Sequence, residues 1–288
     1  MKKNFILFTS IVLLANYTFA QDTDDDKKFR LGLKVAAQPT WFSSNDANTT
    51  RSKTGFGFGF GLVTEFRLAK TAALVTGIGG DFESGSIRYK YDPTSFAPYD
   101  VRYVLNKSNE LQELKDGMLS PELNQSGFTM YNGVTERKIK TTFVTIPVLL
   151  KMMTKEISGF KYFGLFGAEI GVRVKARATD KYTNSSTATG FNTSGGTNTN
   201  ININSDAALI PIRFGMNVGL GAEYRLSGST SAFITVNYFR AFTSLMRRDS
   251  KYMAYDATYY PSTDQFTFFR VKQGLFLNAV RINFGILF

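Results

Sequence analysis

The sequence predicts an all-β protein: an eight-stranded antiparallel transmembrane β-barrel with short periplasmic turns and long extracellular loops. Three observations predict it. The stretch Gly274–Phe288, GLFLNAVRINFGILF, alternates to its last residue. Phe276, Val280, Ile282, Phe284, Ile286 and Phe288 share one face, broken only by Asn278, and Ala279, Arg281, Asn283, Gly285 and Leu287 share the other. The stretch Gly55–Gly61 reads GFGFGFG, a strand with a thin face and a greasy one. Eight such stretches occur, and the connections between them alternate short and long, as barrel strands in an outer membrane require.

Composition agrees. The chain of 288 residues has 27 Phe, 14 Tyr and 25 Gly, which suits aromatic girdles around a crowded lumen. A mean hydropathy of −0.13 is compatible with membrane strands, because only one face of each is apolar. With no Cys there is no disulfide framework, thiolate metal site or lipid-modified cysteine. With no His the commonest general base and metal ligand are missing. The net charge of +11 does not point to nucleic acid, since Arg and Lys alternate with aromatics along strands instead of clustering on a helix. Lipopolysaccharide phosphates are the expected counter-charges.

Residues 1–20 are expected to be a secretory signal peptide. Lys2 and Lys3 open it, Phe5–Ala15 is its apolar run, and Thr18-Phe19-Ala20 precedes a cleavage point before Gln21. The apolar run is too short for a spanning helix, which needs about 20 residues. Residues 21–28, QDTDDDKK, read as a solvated periplasmic leader. The barrel domain is expected over residues 29–288, in the outer membrane, with both termini periplasmic.

The strands follow in order. Phe29–Trp41 carries Leu31, Leu33 and Val35 on one face and Arg30, Lys34 and Gln38 on the other. Residues 42–53 are polar and aperiodic, hence a loop. Gly55–Leu68 lacks the GxGxxG spacing of a phosphate loop and reads as a strand. Ala69-Lys70 turns into a third strand, Thr71 to about Tyr91. Asp92–Gly133 is a long insertion, in which Leu111 and Leu114 predict a short helix over Ser108–Met118. Val134–Thr154 and Phe160–Arg177 are the fourth and fifth strands, joined by a short turn. Ala178–Ser205, rich in Ser, Thr, Asn and Gly, reads as a flexible loop. Asp206–Leu226 and Thr230–Leu245 flank the turn Ser227–Ser229. Met246–Val271 is a Tyr- and Phe-rich loop, and the closing strand follows. Pro147 and Pro211 each lack a ladder donor, which predicts a bulge or a segment beyond the lipid band.

In lipid an unpaired backbone group costs several kcal/mol, so the first and last strands must pair. A soluble sandwich or lipocalin-like barrel would put the apolar faces inside and leave Gly and charges on a solvated surface, which such a surface disfavours. Eight strands leave an interior that side chains fill. Arg30, Lys34, Glu65, Arg67, Asp81, Glu83, Lys151, Glu169, Arg173, Arg213, Glu223, Arg225 and Arg281 are expected inside as a structural ion-pair network, in preference to a proton relay or ion pathway.

Several segments resemble a known family: Gly32-Leu33-Lys34, TFVTIPVLLK at Thr142–Lys151, FGLFGAEIGV at Phe163–Val172 and FGMNVGLGAEY at Phe214–Tyr224. Together with the N-terminal stretch they are similar to the PorT-like outer-membrane β-barrel family of Bacteroidetes, over nearly all of Phe29–Phe288. The resemblance implies an integral barrel, one branch of the family being tied to type IX protein secretion. RINFGILF is similar to the terminal signal read by the barrel-assembly machinery, with Arg281, Ile286 and Phe288 in place and Asn283 where Gly is common.

The expected function is non-enzymatic: a structural, accessory or docking barrel of an envelope protein complex. Its expected partners are outer-membrane lipid and lipopolysaccharide and, during biogenesis, the assembly machinery, with no nucleic acid. The alternative is a surface adhesin or receptor that binds through Tyr252, Tyr255, Tyr259, Tyr260, Phe266, Phe268 and Phe269. No residue is singled out as catalytic, cofactor-binding or metal-ligating. Asp81 and Glu83 share a face, but nothing else marks them as an acid–base pair. A pore is not expected, because bulky inward charges fill eight strands.

Overall fold

The computed structural model describes residues 28–46, 49–89, 101–115, 118–119, 127–187, 190–205, 208–263 and 265–288. The signal-peptide and leader readings, apart from Lys28, lie outside these residues. Eight long strands form the barrel: β1 Phe29–Ser44, β2 Thr49–Ala69, β3 Ala72–Tyr89, β4 Glu136–Met153, β5 Phe160–Tyr182, β6 Ile212–Ser227, β7 Thr230–Ala241 and β8 Leu275–Leu287. Each pairs antiparallel with its neighbours in chain order, and β8 pairs with β1, from Gly32 opposite Leu287 to Ser44 opposite Leu275. The ring is closed, so no barrel strand presents an open edge to lipid.

Alternation decides which face is which. Outward residues are large and apolar: Phe56, Phe58 and Phe60 on β2, Ile146 and Val148 on β4, Val218 and Leu220 on β6, and Phe284 and Ile286 on β8, with Phe56 at 70% and Leu220 at 73% exposure. A continuous apolar girdle of this kind has no place on a soluble monomer, whose apolar patches reach only a few hundred Å². It is the lipid-facing surface. Inward residues include Gly59, where a Cβ would stand 2.5 Å from Asp81 Oδ1, so its missing side chain is the space that carboxylate occupies.

The short connections are Lys70–Thr71, residues 154–159 and Gly228–Ser229, one residue later at the first than the sequence suggested. They lie at the end where β1 begins and β8 finishes. The other end differs from the loops expected. Residues 42–53 mostly continue β1 and β2, with Ser43 paired to Phe276 and Thr49 to Tyr89. Residues 178–205 continue β5 to Tyr182 and then form strands Asn184–Thr187, Gly190–Asn192 and Gly196–Asn202, the last paired back onto β5. Residues 246–271 form a hairpin of Asp249–Tyr260 and Gln265–Lys272. A small sheet joins Tyr103–Leu105, Leu111–Gln112, Thr129–Asn132, Asn184–Thr187 and Gly190–Asn192. The helix expected over Ser108–Met118 is not formed by the described residues of that stretch. Asn106 Oδ1 accepts from the backbone N–H groups of Ser108 and Glu110 at 2.9 and 3.0 Å, turning the chain into a hairpin where a helix would have to start.

The prolines also resolve differently. Pro211 immediately precedes β6, so that strand starts at Ile212 and not near Asp206. Pro147 is inside β4, flanked by the lipid-facing Ile146 and Val148. The β3–β4 register runs through unshifted, with Thr76 opposite Val148 and Gly79 opposite Thr145. No bulge forms on that side: the ladder skips the bonds around Gly77, whose φ of +151° belongs to glycine.

Candidate functional site

The lumen is filled in three tiers. Nearest the short turns, Arg30, Glu65, Lys151 and Glu223 come from β1, β2, β4 and β6. Arg30 donates to Glu65 Oε1 at 2.5 Å and also pairs with Glu223. Lys151 Nζ donates to Glu65 Oε2 and Glu223 Oε2, both at 2.7 Å, and stands 4.3 Å from the centre of the Phe163 ring. Ser231 Oγ completes Glu223 at 2.7 Å. Two cations face two carboxylates, so the tier is neutral.

The middle tier joins Asp81 and Glu83 of β3, Glu169 of β5, Arg213 of β6 and Arg281 of β8. Arg213 pairs with Glu83, with Glu169 at 3.1 Å and with Asp81 at 3.8 Å. Arg281 lies 2.5 Å from Glu169, 3.3 Å from Glu83 and 3.4 Å from Asp81. The Arg213 guanidinium is packed between the Phe143 and Phe239 rings, at 4.3 and 4.6 Å. Three carboxylates face two guanidiniums, and Lys34, inward on β1, adds a favourable electrostatic contribution at Asp81. A buried charge without a partner is costly, while a well-bonded cluster roughly breaks even. Asp81 and Glu83 are therefore bonded members of this cluster.

The upper tier is apolar. Phe42, Ile87, Tyr103, Leu105, Ile201, Leu209, Phe239 and Met246 pack over the lumen with residues of the extracellular strands. One ion pair is sunk in it. Arg137 of β4 donates to Asp180 of β5 through Nε at 2.8 Å and Nη2 at 2.6 Å, with side-chain exposures of 1% and 0%. Its guanidinium lies 5.4 Å from the Tyr103 ring centre and donates to Met253 Sδ at 2.9 Å. Burial, followed by the Asp180 carboxylate, pushes the Tyr103 phenol far above the usual tyrosine range.

The expected network is thus split. Arg30, Glu65, Lys151 and Glu223 meet in one cluster, and Asp81, Glu83, Glu169, Arg213 and Arg281 in another. The other four expected residues lie beside these two clusters. Lys34 acts at a distance, Arg67 lines a cleft at the short-turn mouth, Arg173 donates to Asn204 at 2.6 Å, and Arg225 donates to the Gly228 carbonyl at 3.0 Å. The Arg137–Asp180 pair was not expected. Its signal was present, because Arg137 is in phase with the inward Phe143, but Asp180 sits in a stretch that reads as loop.

The barrel interior and its girdle describe a membrane-spanning protein, and comparison with known families agrees. A family model described as "Outer membrane protein beta-barrel domain" matches residues 19–247. The chain belongs to this outer-membrane barrel family. As such it resides in the cell outer membrane, with its short turns periplasmic and its long strand-rich connections extracellular. The match stops before β8. No curated protein sequence matches the chain. Among solved structures it is similar to Neisserial surface protein A, at 8% identity, covering 90% of this chain and 96% of that one, with a TM-score of 0.35. It is similar to OprG from Pseudomonas aeruginosa at 10% identity, covering 93% and 99%, with a TM-score of 0.36. It is also similar to Ail of Yersinia pestis at 8% identity, covering 91% and 100%, with a TM-score of 0.29.

The aromatic residues expected to make the fourth loop adhesive divide. Tyr252 and Phe268 are buried in the cap, while Tyr260 and Phe269 are exposed. The side chains of Tyr255, Tyr259 and Phe266 lie outside the described residues.

Proposed function

We propose that the protein is a non-enzymatic docking barrel of an envelope complex, of the PorT-like kind found in Bacteroidetes, and that it serves protein secretion as an accessory component. Export by a signal peptide over residues 1–20, a periplasmic leader over 21–28 and a barrel domain over 29–288 belong to this reading. So does biogenesis through the barrel-assembly machinery. The observation that carries the reading is the sealed lumen under a strand-built extracellular cap. Both ion-pair tiers and the apolar tier are buried, which leaves the outer surfaces to do the work. The receptor alternative is not favoured over this reading: Tyr252 and Phe268 pack the cap, which leaves Tyr260 and Phe269 as the exposed aromatics among the described side chains of the fourth loop.

The test is affinity purification of the tagged full chain from membranes in mild detergent. Stoichiometric recovery of other envelope proteins is the expected result. A monodisperse barrel with no co-purifying protein, under conditions that preserve a known envelope complex, would overturn the docking role.

A further inference from the structure

The outer wall carries a second feature that the sealed lumen does not use. On β4 the outward series runs Met152, Leu150, Val148, Ile146 and Val144, then Thr142, Lys140 and Lys138. On β5 it runs Ile170, Val172 and Val174, and after an irregularity between Thr142 and Phe143 on the paired strand continues with Lys175, Arg177, Thr179 and Lys181. The change from apolar to cationic falls on both strands at the extracellular edge of the girdle. Lys140 is directly opposite Arg177, and Thr142 opposite Lys175. Like charges directly opposite on one face of a sheet repel. Among the described residues Lys138, Lys140, Lys175 and Arg177 form no ion pair, and Arg177 Nε is buried without a hydrogen-bond partner. Glu136, one step further out, is already held by Lys181 at 3.1 Å and Ser52 at 2.8 Å.

Beside these cations is a cleft of about 220 Å³, lined by Lys53, Thr54, Glu136, Lys138, Thr179 and Lys181. The opposite wall is different. Near the same height the end of β7 presents Arg240, followed by Phe242, and β1 presents Trp41 with the Arg51 guanidinium 5.4 Å from its ring centre. The cations are therefore densest on β4 and β5, at the extracellular edge of the girdle.

We infer that this zone of β4 and β5 is a binding site for the phosphate groups of outer-leaflet lipid A. The ammonium and guanidinium groups donate charge-assisted hydrogen bonds to phosphate oxygens, and the anion removes the Lys140–Arg177 repulsion. The acyl chains lie along Val144, Ile146, Val172 and Val174. The inference rests on the barrel's position in the outer membrane and is independent of the docking role.

The experiment uses the full chain in detergent, with binding read by native mass spectrometry and by thermal shift. The probes are bisphosphorylated lipid A, the same lipid with its phosphates removed, and inorganic phosphate. Lys138→Gln/Lys140→Gln/Lys175→Gln is expected to raise the Kd for bisphosphorylated lipid A at least about tenfold. The matching triple Lys→Arg variant is expected to retain affinity, and so is Arg240→Gln on the far wall. Heat-modifiable gel migration establishes that each variant is folded. If the triple Gln variant does not fold, Lys140→Gln alone and a salt titration of the wild type replace it, with affinity falling as salt screens the contact. Equal affinity for dephosphorylated lipid, unchanged affinity in the folded Gln variants, or salt-independent binding overturns the site. Inorganic phosphate binding as tightly as lipid A overturns the assignment to a lipid.

Discussion

Arg281 of β8 and Glu169 of β5 meet across the lumen, Nη1 to Oε2, at 2.5 Å. Strands β6 and β7 separate them around the wall, so their bond ties together parts of the ring that no backbone ladder joins directly. Arg281 also reaches Glu83 and Asp81 of β3, which makes it a spoke between three strands.

Removing that spoke has a defined cost. Arg281→Met leaves Asp81, Glu83 and Glu169 to share Arg213 and the more distant Lys34. Stability is expected to fall by about 3–5 kcal/mol, the range for breaking a buried ion pair. Arg281→Met/Glu169→Leu is expected to recover a large part of the loss, because the uncompensated carboxylate goes with it. Urea unfolding in lipid vesicles, followed by heat-modifiable migration, measures both.

The interior packing predicts an electrical result. With the middle tier bonded across the lumen and the cap packed above it, the wild-type barrel is expected to show no steady conductance in a planar bilayer. Reproducible ion-selective openings of the purified protein would contradict the sealed interior.

Two glycines separate crowding from composition. Gly59→Val pushes a branched side chain toward Asp81 Oδ1, which a Cβ alone would approach to 2.5 Å, and is expected to destabilise by about 1–3 kcal/mol. Gly164→Ala meets nothing nearer than Leu220 Cδ2 at 3.9 Å and is expected to be neutral or slightly stabilising. Unfolding midpoints of the two variants in one lipid give the comparison.

The cap has a pH signature. The Tyr103 phenol is raised in the folded state, so its contribution to stability is complete below the unfolded tyrosine pKa of about 10 and is lost as pH rises above it. The cap is expected to loosen in strong alkali while the barrel persists. Tyr103→Phe is expected to flatten that dependence. Ultraviolet titration of tyrosinate, run with limited proteolysis of the extracellular strands, detects it.

A lipid-facing residue of the closing strand gives a test of insertion. Phe288 faces lipid beyond the closing ladder, its N–H bonded to Leu31 O at 2.7 Å. Phe288→Ser is expected to lower membrane insertion far more than Phe191→Ser in the extracellular strands, as read from folded protein in outer-membrane fractions. Equal yields would count against a contribution of Phe288 on the lipid-facing side of β8 to insertion.

The strand faces were legible in the sequence because lipid enforces them. Wherever an outward residue meets hydrocarbon it must be apolar, and wherever an inward residue meets the lumen it must be small or bonded. Period-two alternation therefore marks Gly55–Leu68, Phe160–Val174 and Gly274–Phe288 without reference to any partner. The same condition fixed which charges are inside, since Glu65, Glu169, Glu223, Arg213 and Arg281 are each in phase with glycines. Tertiary structure alone decided how those charges divide into two clusters, because partners such as Arg30 and Glu223 are 193 residues apart and their meeting depends on barrel stagger. It also decided the cap. Above the bilayer neither strand face touches lipid, so stretches such as Ser43–Lys53 and Asn184–Asn202 carry no alternation. Their strands are held by backbone hydrogen bonds, which are indifferent to side-chain identity, and by a few buried anchors such as Ile201 and Ile203 that acquire meaning only once the chain has folded over the barrel mouth.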